Sequence, residues 1–197
     1  TGDDWILPAT LGADLSAVPG GLRVDHTYRS DPDLPGQRSP LRAPGVDMRD
    51  GDVILTVDHQ PVLTESALAA ALRNKAGHPV LLGYQRVSTD ARGRASIAQL
   101  QALVTPLEPG ADKNLRYLDW EIDRRERVET AGKGRFGYIH LRAMGDEDIA
   151  QWTREYFPVF NREGLIIDVR NNRGGNIDSW ILGQLLRRPW MYWSQRV

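Results

Sequence analysis

Apolar and polar positions alternate along this chain with a period that changes from two to about three and a half and back. Residues 1 to about 20 hold no sustained period and are broken by Pro8, Gly12, Pro19, Gly20 and Gly21, so they read as irregular. Strict alternation over residues 22–28 predicts a strand. Residues 31–45 carry Pro32, Pro35, Pro40 and Pro44 and read as a loop within one core. An Asp50-Gly51 turn runs into a predicted strand over 53–57, and Asp58-His59-Gln60 turns the chain towards Pro61-Val62. Thr64 is placed to cap a helix whose Ala67, Leu68, Ala71 and Leu72 share a face, with Gly77 as its stop. Further strands are predicted over 80–84 and 102–107, with a polar hairpin tip at 88–95.

After a break at Pro109-Gly110, Leu115, Leu118 and Ile122 define one face of a helix that starts at Asp112 or Lys113 and ends at Thr130. Its Arg124, Arg125 and Arg127 interleave with Glu121, Asp123, Glu126 and Glu129, the pattern of an ion-paired, solvated face. Then come a strand over 136–141, a helix from Asp146 or Asp148 to about Phe157, a strand over 165–169, and a helix over 177–186 with Asn176 as its cap. This β-α-β-α order implies an α/β layer with neighbouring parallel strands, thin for an independent core.

The richest stretch is residues 164–175, Gly-Leu-Ile-Ile-Asp-Val-Arg-Asn-Asn-Arg-Gly-Gly. A buried strand that passes through glycines into a helix presents backbone N–H groups at one point. Such a turn is either an ordinary βα connection or a holder for a phosphate, a carboxylate or a reaction oxyanion.

Composition narrows the classes. With 197 residues, one or two domains are expected; 41% hydrophobic and 26% charged residues are ordinary for a globular protein, and a net charge of -1 argues for no nucleic-acid or anionic-membrane partner. The 22 Arg against 3 Lys read as coding bias. The lack of cysteine excludes disulfides and thiolate chemistry and fits a reducing compartment. No apolar run reaches the roughly 20 residues of a membrane span, and no signal peptide is visible at Thr1. The chain has no initiator Met and stops soon after a helix, which suggests a piece of something longer.

Other candidate chemistries fail on context. Gly132-x-Gly134-x-x-Gly137 spells a dinucleotide fingerprint but follows a helix and enters a strand. His26, His59, His78 and His140 are scattered, so no metal is expected, and no cofactor is implied. His140, on an apolar strand, reads as structural. Asp3-Asp4 and Glu147-Asp148 are explained by capping and solvation. There is no Gly-x-Ser-x-Gly elbow, and Ser179 and Ser194 have no evident partner.

The segment 12–108, with its Asp-Gly-Asp-Val-Ile-Leu-Thr-Val-Asp-His-Gln-Pro-Val core and following helix, resembles a PDZ domain. A peptide would add as a strand beside residues 22–28, with Leu22, Val24 and Leu68 as substrate-binding positions and the turn 17–21 receiving a terminal carboxylate. The same apolar residues are equally well explained as core. Followed by Leu115-Arg116-Tyr117-x-x-Trp120, Gly137-Tyr138-Ile139-His140 and the Asp168-Val169-Arg170-Asn171-Asn172-x-Gly174-Gly175 turn, the chain from about residue 12 onward is similar to tricorn-type serine proteases, and more broadly to tail-specific peptidases. The resemblance implies an α+β architecture. Residues 1–11 form an extension, 12–108 a PDZ-like, partly open β-barrel with helices, and 109–131 a connecting helix. Residues 132–197 are the first part of an α/β layered domain of the ClpP/crotonase class.

It also implies a serine endopeptidase acting on peptides or unfolded polypeptides, cytoplasmic and homo-oligomeric in the intact protein. Gly174, then Gly175, would donate to the oxyanion. Arg173 stands where the family often has Gly or Pro. The family's nucleophilic serine falls beyond Val197, and the base is a histidine before the PDZ segment or a later lysine, so this chain alone is expected to be silent. The 188–193 stretch resembles part of the substrate pocket, with Trp193 as an apolar wall in place of an acidic residue, or as core. The alternatives are a non-catalytic peptide-binding module and a structural module that binds nothing.

Overall fold

The computed structural model describes residues 7–186 apart from 33 and 35. The chain divides into two compact units, residues 1–122 and 123–197. The first unit is built on a six-stranded antiparallel sheet in the order β1 (Ala13–Val18), β2 (Gly21–Thr27), β3 (Val53–Val57), β5 (Val80–Thr89), β6 (Ala95–Val104), with the short β4 (Gln60–Pro61) pairing with β3. An isolated bridge between Thr10 and Leu107 joins the segments beside the two ends of the sheet, so the barrel is drawn together but not closed.

The first strand is absent from the sequence reading. Residues 13–18 are only half-buried and end in Pro19-Gly20, so their period was masked by turn residues; in the fold they pair with β2 across a two-residue hairpin from Val18 to Gly21. The residues 58–59 turn between β3 and β4 is also of two residues, and both Asp58 and His59 have positive φ, the geometry that matches strand twist. The β5–β6 hairpin extends beyond the predicted strands, pairing without a break from Val80↔Val104 to Thr89↔Ala95. Its outer half exposes Val87 and Ile97 and so carried no burial signal.

Helix α1 (Glu65–Ala71) starts as its sequence dictates: the Thr64 hydroxyl oxygen accepts from the Ala67 N–H at 3.1 Å, a cap worth about 1 kcal/mol. The proline-rich loop is not wholly peripheral. A 3-10 turn, Pro40–Arg42, buries Leu41 completely, and the buried Ser39 hydroxyl donates to the Leu11 carbonyl at 3.1 Å while accepting from Leu41 N–H. Leu22, Val24, Ile54, Val57, Val62, Leu72, Val80 and Leu82 form the core around it. Helix α2 (Pro109–Ala131) begins earlier than the expected Asp112 or Lys113, taking in the Pro109-Gly110 break itself, since proline has no N–H to lose in a first helical position. Of its interleaved charges Arg127 pairs with Asp123 at 2.9 Å as expected, whereas Glu121 is buried and not on a solvated face.

In the second unit, β7 (Phe136–His140) and β8 (Gly164–Asp168) lie parallel in the register Phe136↔Gly164 to His140↔Asp168, with α3 (Asp148–Tyr156) between them in sequence. Trp152 and Tyr156 stack with ring centroids 5.1 Å apart and pack with Ile139, Leu141, Val159, Ile177 and Ile181. The last described element is α4 (Asp178–Leu185). Asn176 does not cap it. Ile177 occupies that position without a side-chain bond, and the Asn176 N–H goes instead to the Met144 carbonyl. Among the described residues no helix is long and apolar enough to cross a membrane.

Candidate active-site turn and peptide groove

Parallel strands end together at His140 and Asp168, and the chain leaves both towards the same side. The segment after β7 and the glycine turn after β8 are laced to each other: Arg173 N–H donates to Arg142 O, Met144 N–H to Gly174 O, and Asn176 N–H to Met144 O, at 2.8–3.0 Å. Asn171, Gly174 and Gly175 all have positive φ. Arg173 does not, so its side chain is accommodated in the turn without left-handed backbone strain. Gly175 has no such latitude. A Cβ there would lie 1.9 Å from the Met144 carbonyl oxygen.

Asn172 sets the shape of the turn. Its amide nitrogen donates to Leu141 O at 2.8 Å while its oxygen accepts the Gly174 N–H at 2.6 Å. Only a side chain with both a donor and an acceptor does this. Sequence reasoning quoted Asn172 in the motif without giving it a role; an Asn two residues before a positive-φ glycine is the signal of such an Asx turn. The bond has a chemical consequence. The Gly174 N–H is engaged within the turn, whereas the parallel bridge to Met144 uses the Gly174 carbonyl and the Asn176 N–H and leaves the Gly175 N–H facing away from it.

Beneath the turn, the buried Asp168 carboxylate accepts from the Tyr138 hydroxyl at 2.7 Å, from the Arg170 backbone N–H at 3.0 Å and from the Arg170 guanidinium. The guanidinium holds Asp168 well below the usual carboxylate range, with Tyr138 adding to the effect against the opposing cost of burial. Burial, and then the Asp168 bond, push the Tyr138 phenol up. His140 is buried beside them, its Nδ1 3.9 Å from Asp168 Oδ1, and its backbone N–H donates to Glu155. This is a structural setting.

In the first unit, β2 lies between β1 and β3, and the backbone of Leu22 to Val24 is bonded on both sides, so a peptide strand does not add there. Leu22 and Val24 are core residues with no exposed surface, which corrects their assignment to a peptide groove. The proposed carboxylate turn at 17–21 shrinks to Pro19-Gly20, because Ala17 pairs with Leu22 and Val18 with Gly21, and Pro19 has no N–H. The sheet has two edges, β6 and β1, and β1 is the one that lies against α1. Beside it runs a groove of about 280 Å³ floored by Ala13, Leu15, Leu68 and Leu72. Leu68 thus does line a groove, though one formed against β1 and not β2. Trp193 lies outside the described residues. Among the described residues no group of His, Asp or Glu is arranged to hold a metal, and His26 is tied to Asp119 at 2.8 Å.

Residues 9–102 match the family model of the tricorn protease PDZ domain, and residues 135–195 match that of peptidase family S41. Tricorn protease homolog 1 of Streptomyces coelicolor is 39% identical over 90% of this chain and 16% of its own length. The tricorn protease of Thermoplasma volcanium is 28% identical over 94% of the chain and 17% of its own length. A crystal structure of the tricorn protease superposes on 97% of the chain, covering 18% of that protein, with a TM-score of 0.79 and 25% identity. The chain spans about one sixth of the length of the curated relatives it matches.

Proposed function

Because this chain belongs to the tricorn-type serine proteases of peptidase family S41, we propose that it works as part of a serine endopeptidase that hydrolyses peptide bonds of oligopeptides or unfolded polypeptides. The reaction is attack of a serine hydroxyl on the peptide carbonyl, then hydrolysis of the acyl-enzyme. The chain's own contribution is the turn after β8. The Gly175 N–H, which points away from the lacing to Met144, is the leading oxyanion donor, and Gly174 joins it when the Asn172 oxygen releases its N–H. The nucleophile and base come from other segments of the intact protein. The groove of β1 and α1 docks the polypeptide, and Trp193 is kept as a substrate-binding candidate on the resemblance alone. The intact protein is cytoplasmic and a homo-oligomer.

The observation that carries this reading is the laced turn: a glycine whose Cβ would strike a carbonyl, an Asn that ties the turn to the residue after β7, and a buried Asp168 clamped by the exposed Arg170 beneath. The test is a serine-directed covalent probe with a fluorogenic peptide library on the intact protein beside the 197-residue chain. Labelling and hydrolysis by the intact protein alone are expected. Absence of labelling in the intact protein overturns the enzyme reading and favours a non-catalytic peptide-binding module. Labelling of the 197-residue chain would mean that the nucleophile lies within it.

A further inference from the structure

We propose that the groove between β1 and α1 binds an internal, extended peptide segment carrying a Lys or Arg beside a large aliphatic residue, and rejects a free C-terminal carboxylate. The inference rests on the reading of that groove as a peptide-docking site.

Among the described residues strand β1 pairs with β2 alone, so half of its N–H and C=O groups are offered to an added strand. The floor beneath that edge is apolar, formed by Leu15, Leu68 and Leu72, and accepts an aliphatic side chain. The walls are acidic. Asp14 stands on β1 itself, Glu65 opens α1, and Asp112 comes from the first turn of α2. Asp112 closes the end of the groove beside Thr10 and Leu11, where its Oδ1 accepts the Thr10 hydroxyl at 2.9 Å.

Among the described residues the lining holds one cation, Arg116, and two of the carboxylates already lie beside it. Its guanidinium lies 3.8 Å from Asp112 and 3.9 Å from Asp14 and covers the ring of Tyr28, with 5.2 Å from its carbon to the ring centroid. Asp14 also accepts the Tyr28 hydroxyl at 2.6 Å. Three carboxylates therefore face one committed guanidinium. A terminal carboxylate laid along this edge adds a fourth negative charge with no free donor cation to meet it, whereas a basic side chain relieves the excess.

The test measures binding of fluorescein-labelled peptides of about ten residues to the full 197-residue chain by anisotropy. One peptide carries Arg-Leu pairs and is blocked at both ends; the second replaces each Arg by Glu; the third is the basic peptide with a free C-terminus. The blocked basic peptide is expected to bind at least about tenfold more tightly than the acidic one, the free carboxylate to bring no gain, and added salt to weaken the preference. The double variant Asp112→Asn, Glu65→Gln keeps the Thr10 acceptor and is expected to reduce the basic-to-acidic ratio about fivefold. Tighter binding of the acidic or free-carboxylate peptide, or a ratio unmoved by the double variant, overturns the proposal and leaves the groove a peptide site of another class. If no peptide binds, groove docking itself falls with it, while the protease reading stands or falls separately on the serine probe.

Discussion

Each unit buries an aspartate against an arginine, and the two pairs do different work. Asp52, at the start of β3, receives Arg86 from β5 through two bonds, Nε to Oδ1 at 2.8 Å and Nη2 to Oδ2 at 2.7 Å. It ties strands 34 positions apart in sequence, and the Arg86 side chain is itself only 14% exposed. Asp168 receives Arg170 from two positions along, and the Arg170 side chain is 62% exposed. The first pair is a strut between strands. The second is a local clamp that fixes how the chain leaves β8. The same chemistry stabilises a sheet where the cation is enclosed and aims a turn where it is not.

Breaking the strut has the largest expected effect. Asp52→Ala leaves Arg86 enclosed with only the exposed Asp47 as counter-charge and should cost about 3 kcal/mol of first-unit stability, read as a fall in the urea midpoint. Gly175→Val tests the turn. Its side chain has no place beside the Met144 carbonyl, so the backbone N–H proposed as oxyanion donor is kept but pushed out of position, which should lower kcat of the intact protein about 100- to 1000-fold with little change in KM. Asp168→Ala is gentler on stability than Asp52→Ala because Arg170 can swing into water; about 2 kcal/mol is expected, with a larger relative loss of activity as the turn loosens. If Asp168→Ala proves the costlier of the two by denaturation, the distinction between strut and clamp fails.

The smallest effect is a pH limb. The Asp168 carboxyl titrates lower in the folded than in the unfolded chain, so between those values the unfolded state binds more protons and stability rises with pH. Its contribution is complete above about pH 5 and is lost as pH falls towards the folded value. Second-unit melting followed from pH 6 to pH 3 should therefore show a steeper acid loss in the native chain than in Asp168→Asn.

The contrast between the two regions also explains what could be read from sequence. The turn depends on residues that cannot be exchanged: Gly175 for space, Asn172 for its paired donor and acceptor, Asp168 and Arg170 for charge. Such positions stand out as a motif, and the parallel strands and helices around them follow from apolar period alone. The peptide groove depends on which strand lies at the edge, and that is a property of topology. Leu22 and Val24 alternate as a groove strand would, yet β2 is covered on both sides. Strand β1 has a weak period, half-buried small residues and a Pro-Gly end, and so gave no signal. Asp112 and Arg116 were legible only as a helix face, because their approach to Thr10 and Asp14 is made about 100 residues away in sequence.

The far end of the first sheet has a consequence for how the chain survives its own synthesis. Strand β6 is an edge of ten residues without a single charge, and its outer half exposes Ile97 opposite Val87. Long uncharged edges are templates for pairing with other chains, and the guards here are confined to the hairpin tip, where Asp90 accepts from the Arg92 and Arg94 backbone N–H groups and from the Arg94 guanidinium. Folding of this ribbon thus competes with intermolecular pairing, and the competition is bimolecular. The refolding yield should fall as protein concentration rises, and a lysine in place of Ile97 should restore it without moving the melting temperature.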